Sequence, residues 1–200
     1  MTLNVGIYIF DEMEVLDFAG PFEVFSTAAR VKSKIEPPAP KLFQVFTLGE
    51  SQRTISARGG LKVLPEYAIN DHPKIDILII PGGVVKAELD KSAVIAWIKQ
   101  CDENSTLTAS VCTGAFLLAR AGLLHNKLAT THWEDIAELQ SMFPDIQVQS
   151  QTRWVDTGKI ITSAGISAGI DMSLHLVSRL AGKDLAVATA RKMEYDWKSE

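Results

Sequence analysis

The sequence predicts an α/β fold: a mostly parallel sheet with helices on both faces, plus a small β-hairpin in the C-terminal half. Three observations carry this expectation. Short, unbroken runs of branched apolar residues recur at positions 3–10, 76–80 and 106–111, as strands buried on both faces require. Stretches with helical apolar spacing separate them. Late in the chain, Asp156-Thr157-Gly158 lies between two β-rich runs, as a hairpin turn does. At 200 residues and 46% hydrophobic content, the chain can bury one substantial core and is short for two, so one domain over residues 1–200 is expected.

Taken in order, residues 3–10 read as a central parallel strand. The segment from Val15 to Phe25 is apolar except for Asp17 and Glu23, and Pro21 suits the first turn of a helix there. Asp17 is then either the cap of that helix or a functional carboxylate. Residues 32–41, with three prolines and mixed charge, read as an exposed loop. Strands are expected at 42–49 and 61–64, with Gly59-Gly60 as a turn. The run 76–80 is the clearest buried strand and stops at Pro81-Gly82-Gly83, where glycines allow a ligand to approach backbone N–H groups closely. Residues 90–103 form an amphipathic helix with Val94, Ile95, Trp97 and Ile98 inward and Cys101 near its end.

A strand at 106–111 runs without a spacer into an apolar helix at 115–121, and Cys112 stands at the corner. The free N–H groups of a first helical turn favour a thiolate, which makes Cys112 a candidate nucleophile. Its alternative is the buried structural thiol that most free cysteines are. Downstream, residues 128–133 lead as a strand into a helix at 134–143, with His132 at the junction. A lone histidine is more often structural than functional. Residues 146–150 alternate strictly and read as a strand near a sheet edge. The hairpin 153–162 and helices at 170–180 and 184–195 complete the chain.

Composition narrows the function. A net charge of −4 without a long basic cluster argues against a nucleic-acid partner. The first apolar run has no basic segment before it and is too short to span a bilayer, so a cytoplasmic protein with no membrane partner is expected. Two cysteines do not form a disulfide framework. No zinc-like Cys/His spacing, phosphate loop or dinucleotide glycine pattern occurs, so neither a metal nor a cofactor is called for. Because ligands of parallel sheets bind beyond the carboxyl ends of the strands, Asp17, Gly82-Gly83 and Cys112 are expected to converge there. A thiol, a carboxyl group and backbone donors are the parts of a nucleophilic or acid–base site.

Five motifs extend along most of the chain: D-x-x-E-V-L-D-F-A-G-P-x-E-V-F, I-L-I-I-P-G-G, S-V-C-T-G-A-F-L-L-A-x-A-G-L-L, A-T-T-H-W and I-T-S-A-G-I-S-A-G-I-D-M-S-L-H. Together they resemble the PfpI/ThiJ superfamily, related to class I glutamine amidotransferases, and most of all its isonitrile hydratase group. The resemblance implies a flavodoxin-like fold, a homodimer and a small-molecule substrate. It places the nucleophile at Cys112 and the acidic partner at Asp17, since an Asp rather than a Glu marks the hydratase group. Thr113 is implied to offer a backbone N–H and a hydroxyl, Gly83 a second donor, and His132 a supporting position around the cysteine. Phe18, Phe22 and Trp133 are expected to line an apolar pocket.

The chain departs from amidotransferases in reading Ser110-Val111-Cys112-Thr113-Gly114, and their distant His and carboxylate are not matched. Some of the motifs also occur in the amidotransferase-like domain of AraC-type regulators, whose helix-turn-helix domain has no counterpart expected in these 200 residues. The implied function is a cysteine-dependent hydro-lyase that adds water to an isonitrile. Its alternatives are a glyoxalase-like or other small-molecule activity of the superfamily, and a non-catalytic ligand- or redox-sensing dimer.

Overall fold

The computed structural model describes residues 2–35, 37 and 40–199. In chain order the elements are β1 (Leu3–Tyr8), α1 (Val15–Ile35), β2 (Phe43–Gly49), β3 (Ile55–Ser56), β4 (Lys62–Val63), β5 (Tyr67–Ala68), β6 (Ile77–Ile80), α2 (Lys86–Leu89) and α3 (Ser92–Asn104). There follow β7 (Leu107–Val111), α4 (Gly114–Arg120), β8 (Leu128–Ala129), α5 (Ile136–Met142), β9 (Gln147–Val148), β10 (Trp154–Asp156), β11 (Ile160–Ser163), α6 (Ala168–Ala181) and α7 (Lys183–Lys192).

The main sheet has strand order β10-β11-β7-β6-β1-β2-β5, and all its pairings are parallel except β10 with β11. This is the flavodoxin-like arrangement. The unbroken apolar runs occupy its centre: Ile77, Leu78, Ile79 and Ile80 are fully buried, as are Val5, Ile7 and Tyr8. The expected hairpin forms the antiparallel edge, with Trp154 opposite Ser163 and Asp156 opposite Ile161. From β1 the chain crosses to β2 on one side, and from β6 it crosses to β7 on the other. Right-handed crossovers in opposite directions put their helices on opposite faces. Accordingly α1 packs with α6 and α7, whereas α4 packs with α2 and α3. The direction reverses between β1 and β6, so the crevice beyond their carboxyl ends is where a ligand site belongs.

Five local expectations are corrected. Helix α1 starts at Val15, so Pro21 lies inside it rather than in its first turn. It also runs on through Ile35, into the segment expected to be loop, while the remainder of that segment includes residues 36, 38 and 39, which lie outside the described residues. Three of the prolines of this segment follow Ile35 in the chain, so the N–H groups of Val31–Lys34 remain available to the carbonyls four residues earlier. The strand expected at 128–133 shrinks to β8, and β9 pairs with β8 in a separate parallel pair rather than with the main sheet. The helix expected from Glu134 opens with a 3₁₀ turn over Trp133–Asp135 before α5 begins.

Candidate active site

Strand β7 turns directly into α4, with Cys112 at the turn in a left-handed conformation (φ 55°) that strains a residue bearing a Cβ. Hydrogen bonds hold it there. The Cys112 N–H donates to Ser163 O and Ala164 O at 3.1 and 3.3 Å, and the Thr131 hydroxyl donates to Cys112 O at 2.9 Å. The glycines around the turn are sterically required: a Cβ on Gly114 would stand 2.2 Å from Ile80 O, and one on Gly82 would stand 2.5 Å from Thr113 N and 2.9 Å from the Cys112 Cβ.

Asp17 lies in the first turn of α1 and is fully buried. It does not serve as the helix cap. Its Oδ2 accepts the Gly82 N–H at 3.0 Å, at the end of β6. A short backbone pairing stitches the two segments together: Met13 bridges Gly83, Glu14 N–H donates to Gly82 O at 2.9 Å, and Val84 N–H donates to Glu12 O at 3.0 Å. Only glycine fits at position 83, where φ is 134° and a Cβ would lie 2.3 Å from Glu12 O.

Burial pushes the Asp17 carboxyl up to about 7; the Gly82 N–H opposes this and the Glu14 charge adds to it. The Ile166 N–H and the Cys112 thiol also ease its ionisation, although Oδ1 has no hydrogen-bond partner of normal geometry. Burial likewise pushes the Cys112 thiol up to about 12, reinforced by the Asp17 charge and opposed by the Thr113 N–H and hydroxyl. The sequence-based expectation of a thiolate at a helix start is therefore corrected. Helix α4 has seven residues, and its end effect is outweighed by loss of water around the sulfur and by the neighbouring carboxylate. The Asp17 charge raises the proton affinity of the thiol while the thiol eases ionisation of Asp17, so the two groups are electrostatically coupled.

The remaining expected residues fare differently. Gly83 N–H donates to Thr113 Oγ1 at 2.8 Å, and that hydroxyl donates back to Gly83 O at 2.8 Å. Gly83 is thus committed to the turn and not free to bind an oxyanion; the Thr113 N–H, which faces the sulfur, remains as a donor. Phe18 is buried in the core and Phe22 packs against it half-buried, so neither forms an open pocket wall. Trp133 is 74% exposed and borders a cavity of about 470 Å³ with Thr131, Ala164, Thr152 and Arg153. Two of those residues, Thr131 and Ala164, are among the three that hold the Cys112 backbone, with Ser163. His132 accepts the Glu134 N–H at 3.4 Å through Nδ1, which also lies 3.5 Å from Asp135, and its ring lies where a Gly165 side chain would be. That is a capping role beside the site.

Sequence reasoning passed over Thr131, Ile166 and Asp135. Asp135 has a half-buried carboxyl, pushed up by burial, whose charge reaches Cys112. None of them has a local signature, because each acts through a backbone group or through distance across the fold. Among the described residues, no group of three or more His, Cys, Asp or Glu side chains is placed to hold a metal ion.

A profile of the DJ-1/PfpI family matches residues 4–179. The chain belongs to the DJ-1/PfpI family. This DJ-1/PfpI chain is similar to the isonitrile hydratase of Pseudomonas putida, with 29% identity over 98% of this chain and 79% of that protein. It is also 29% identical to the HTH-type transcriptional regulator GbdR of Pseudomonas aeruginosa over 96% of its own length, but spans only about half (51%) of that regulator. A crystal structure of a ThiJ/PfpI family protein from Pseudomonas syringae superposes with a TM-score of 0.85 at 25% identity, covering 98% of this chain and 76% of that one. The DJ-1beta structure of Drosophila melanogaster shares the fold, with a TM-score of 0.82 at 19% identity over 98% of this chain and all (100%) of that one. Among the described residues, no helix of this DJ-1/PfpI chain is long and apolar enough to cross a membrane.

Proposed function

We propose that the protein is a cytoplasmic, homodimeric, single-domain enzyme of the isonitrile hydratase type, with Cys112 as nucleophile and Asp17 as proton carrier. The observation that supports this most is the placement of fully buried Asp17, held by the Gly82 N–H at 3.0 Å, beside the Cys112 thiol. Similarity to a hydratase over nearly the whole chain supports the choice of reaction. As sulfur bonds to the terminal carbon of R–N≡C, the thiol proton passes to Asp17, which returns it to that carbon to give the thioimidate R–N=CH–S. Water then adds to the same carbon, the C–S bond breaks, sulfur recovers a proton, and R–NH–CHO leaves. Splitting the hydration in two steps is the gain from covalent catalysis.

Ionised Asp17 is the proton acceptor, so kcat/KM for cyclohexyl isocyanide should rise as pH passes upward through about 7, and Asp17→Asn should remove that limb. Cys112→Ala should abolish formamide production; turnover surviving in that variant would exclude the mechanism. A second reading is favoured by one pair of observations, a thiol held protonated and the likeness to a transcriptional regulator. In that reading the chain senses a ligand or an oxidant. Absence of turnover with isonitriles and with methylglyoxal, alongside sulfenic acid formation at Cys112 or saturable binding, would support it, whereas methylglyoxal turnover alone would point to a glyoxalase-like activity.

A further inference from the structure

A cavity of about 560 Å³ lies between the second half of α1 and the start of β2, and neither Cys112 nor Asp17 lines it. That volume suits a small organic ligand. Its floor is apolar, made by buried Phe43 and half-buried Val45, and its rim carries Arg30, Lys34 and Lys41, all exposed. Three cations therefore border one cleft of a chain whose net charge is −4. Arg30 is already engaged by Glu23 and Thr27 at 2.8 and 2.6 Å. Lys34 and Lys41 have no ion-pair partner among the described residues.

The backbone beside the cleft adds donors. Strand β5 pairs with Leu48 and Gly49, and among the described residues no strand pairs with the outer edge of the earlier part of β2. Leu42 O and Leu48 O accept N–H groups from Leu3 and Ile9 of the β1 side. Alternate residues of a parallel strand serve alternate neighbours, so Phe43 and Val45 direct their N–H groups, together with their carbonyls, to the open edge. Apolar floor, uncommitted ammonium groups and outward N–H groups specify one kind of ligand.

We propose that this cleft binds a small amphipathic anion, a carboxylate or phosphate monoester carrying a short alkyl or aryl chain. The head group sits between Lys34 and Lys41 and the chain lies on Phe43 and Val45. The site is independent of the Cys112 chemistry. Calorimetric titration of the full chain with octanoate and with octyl phosphate separates the two head groups, and 1-octanol supplies the apolar chain without charge. At least one anion should bind saturably at one site per chain, about tenfold or more tighter than 1-octanol, and should weaken by a similar factor in the Lys34→Glu/Lys41→Glu variant. Binding to the wild type should also weaken as salt is raised, a readout that does not depend on the variant folding. Cys112→Ala should bind unchanged. The proposal is overturned if neither anion binds, if 1-octanol binds equally well, if affinity is insensitive to salt, or if Cys112→Ala loses binding, which would move the ligand to the cysteine site.

Discussion

Burial of Asp17 makes the stability of the fold depend on pH. Its carboxyl is fully buried and raised to about 7, whereas in the unfolded chain it titrates near the usual carboxylate value. A proton therefore binds more tightly to the folded state between those two values. The stabilisation it brings is complete below about pH 4 and disappears as pH rises through about 7, a difference of a few kcal/mol at most. Asp17→Asn, which cannot ionise, should thus raise the melting temperature more at pH 8 than at pH 5, and equal shifts at both would show that the carboxyl is not perturbed. Gly82 carries the matching constraint. Gly82→Ala would press on Thr113 N and the Cys112 Cβ, so it should lower turnover by about 10²-fold or more, as small misplacements of reacting groups do. Its far-ultraviolet circular dichroism should stay close to wild type, and undiminished turnover would show that the turn can shift freely.

At the scale of elements, the loop between β11 and α6 links the site to the C-terminal segment. Ala164 O holds the Cys112 N–H, and Ile166 at φ 55° turns its N–H towards Asp17. Just beyond, fully buried Asp171 on α6 accepts Arg153 Nε at 2.5 Å and Lys198 N–H at 3.0 Å, while Trp197 Nε1 donates to Asp171 O at 3.2 Å. One carboxylate thus ties the hairpin, α6 and the residues after α7 together. Removing its guanidinium partner leaves a buried charge poorly paired, so Arg153→Ala should cost about 3 kcal/mol and lower the urea midpoint. An unchanged midpoint would mean that backbone donors alone satisfy Asp171.

At the scale of the whole molecule, the site exists because the sheet reverses direction between β1 and β6. The carboxyl ends of three neighbouring strands then meet at one crevice: β1 delivers Asp17 through α1, β6 delivers Gly82 and Gly83, and β7 delivers Cys112. Several exposed apolar residues flank this crevice in sequence or contact, among them Leu16, Val84, Ile166 and Trp133. Such a rim fits the proposed homodimer, in which a second copy would shield the site from water. Sedimentation equilibrium should accordingly return twice the chain mass at micromolar concentration; a monomer with full turnover would show that one chain suffices.

The central strands, the hairpin and the corner at Cys112 are legible in residue order, because a buried parallel strand must be apolar throughout and a strand-to-helix turn leaves no spacer between two apolar runs. Asp17 also stands out in residue order, as a carboxylate in an apolar segment. What that carboxylate does was decided only by tertiary structure. Local sequence makes it a plausible helix cap, and only the pairing of Met13 with Gly83 carries it to the Gly82 N–H and the cysteine. The protonation of the pair was likewise out of reach, since burial and a neighbouring charge outweigh the short helix that local reasoning credits. The hydrogen bond that commits Gly83 to Thr113, and the cationic cleft beside β2, arise between segments far apart in the chain, and their energies depend on distances that no residue order encodes alone.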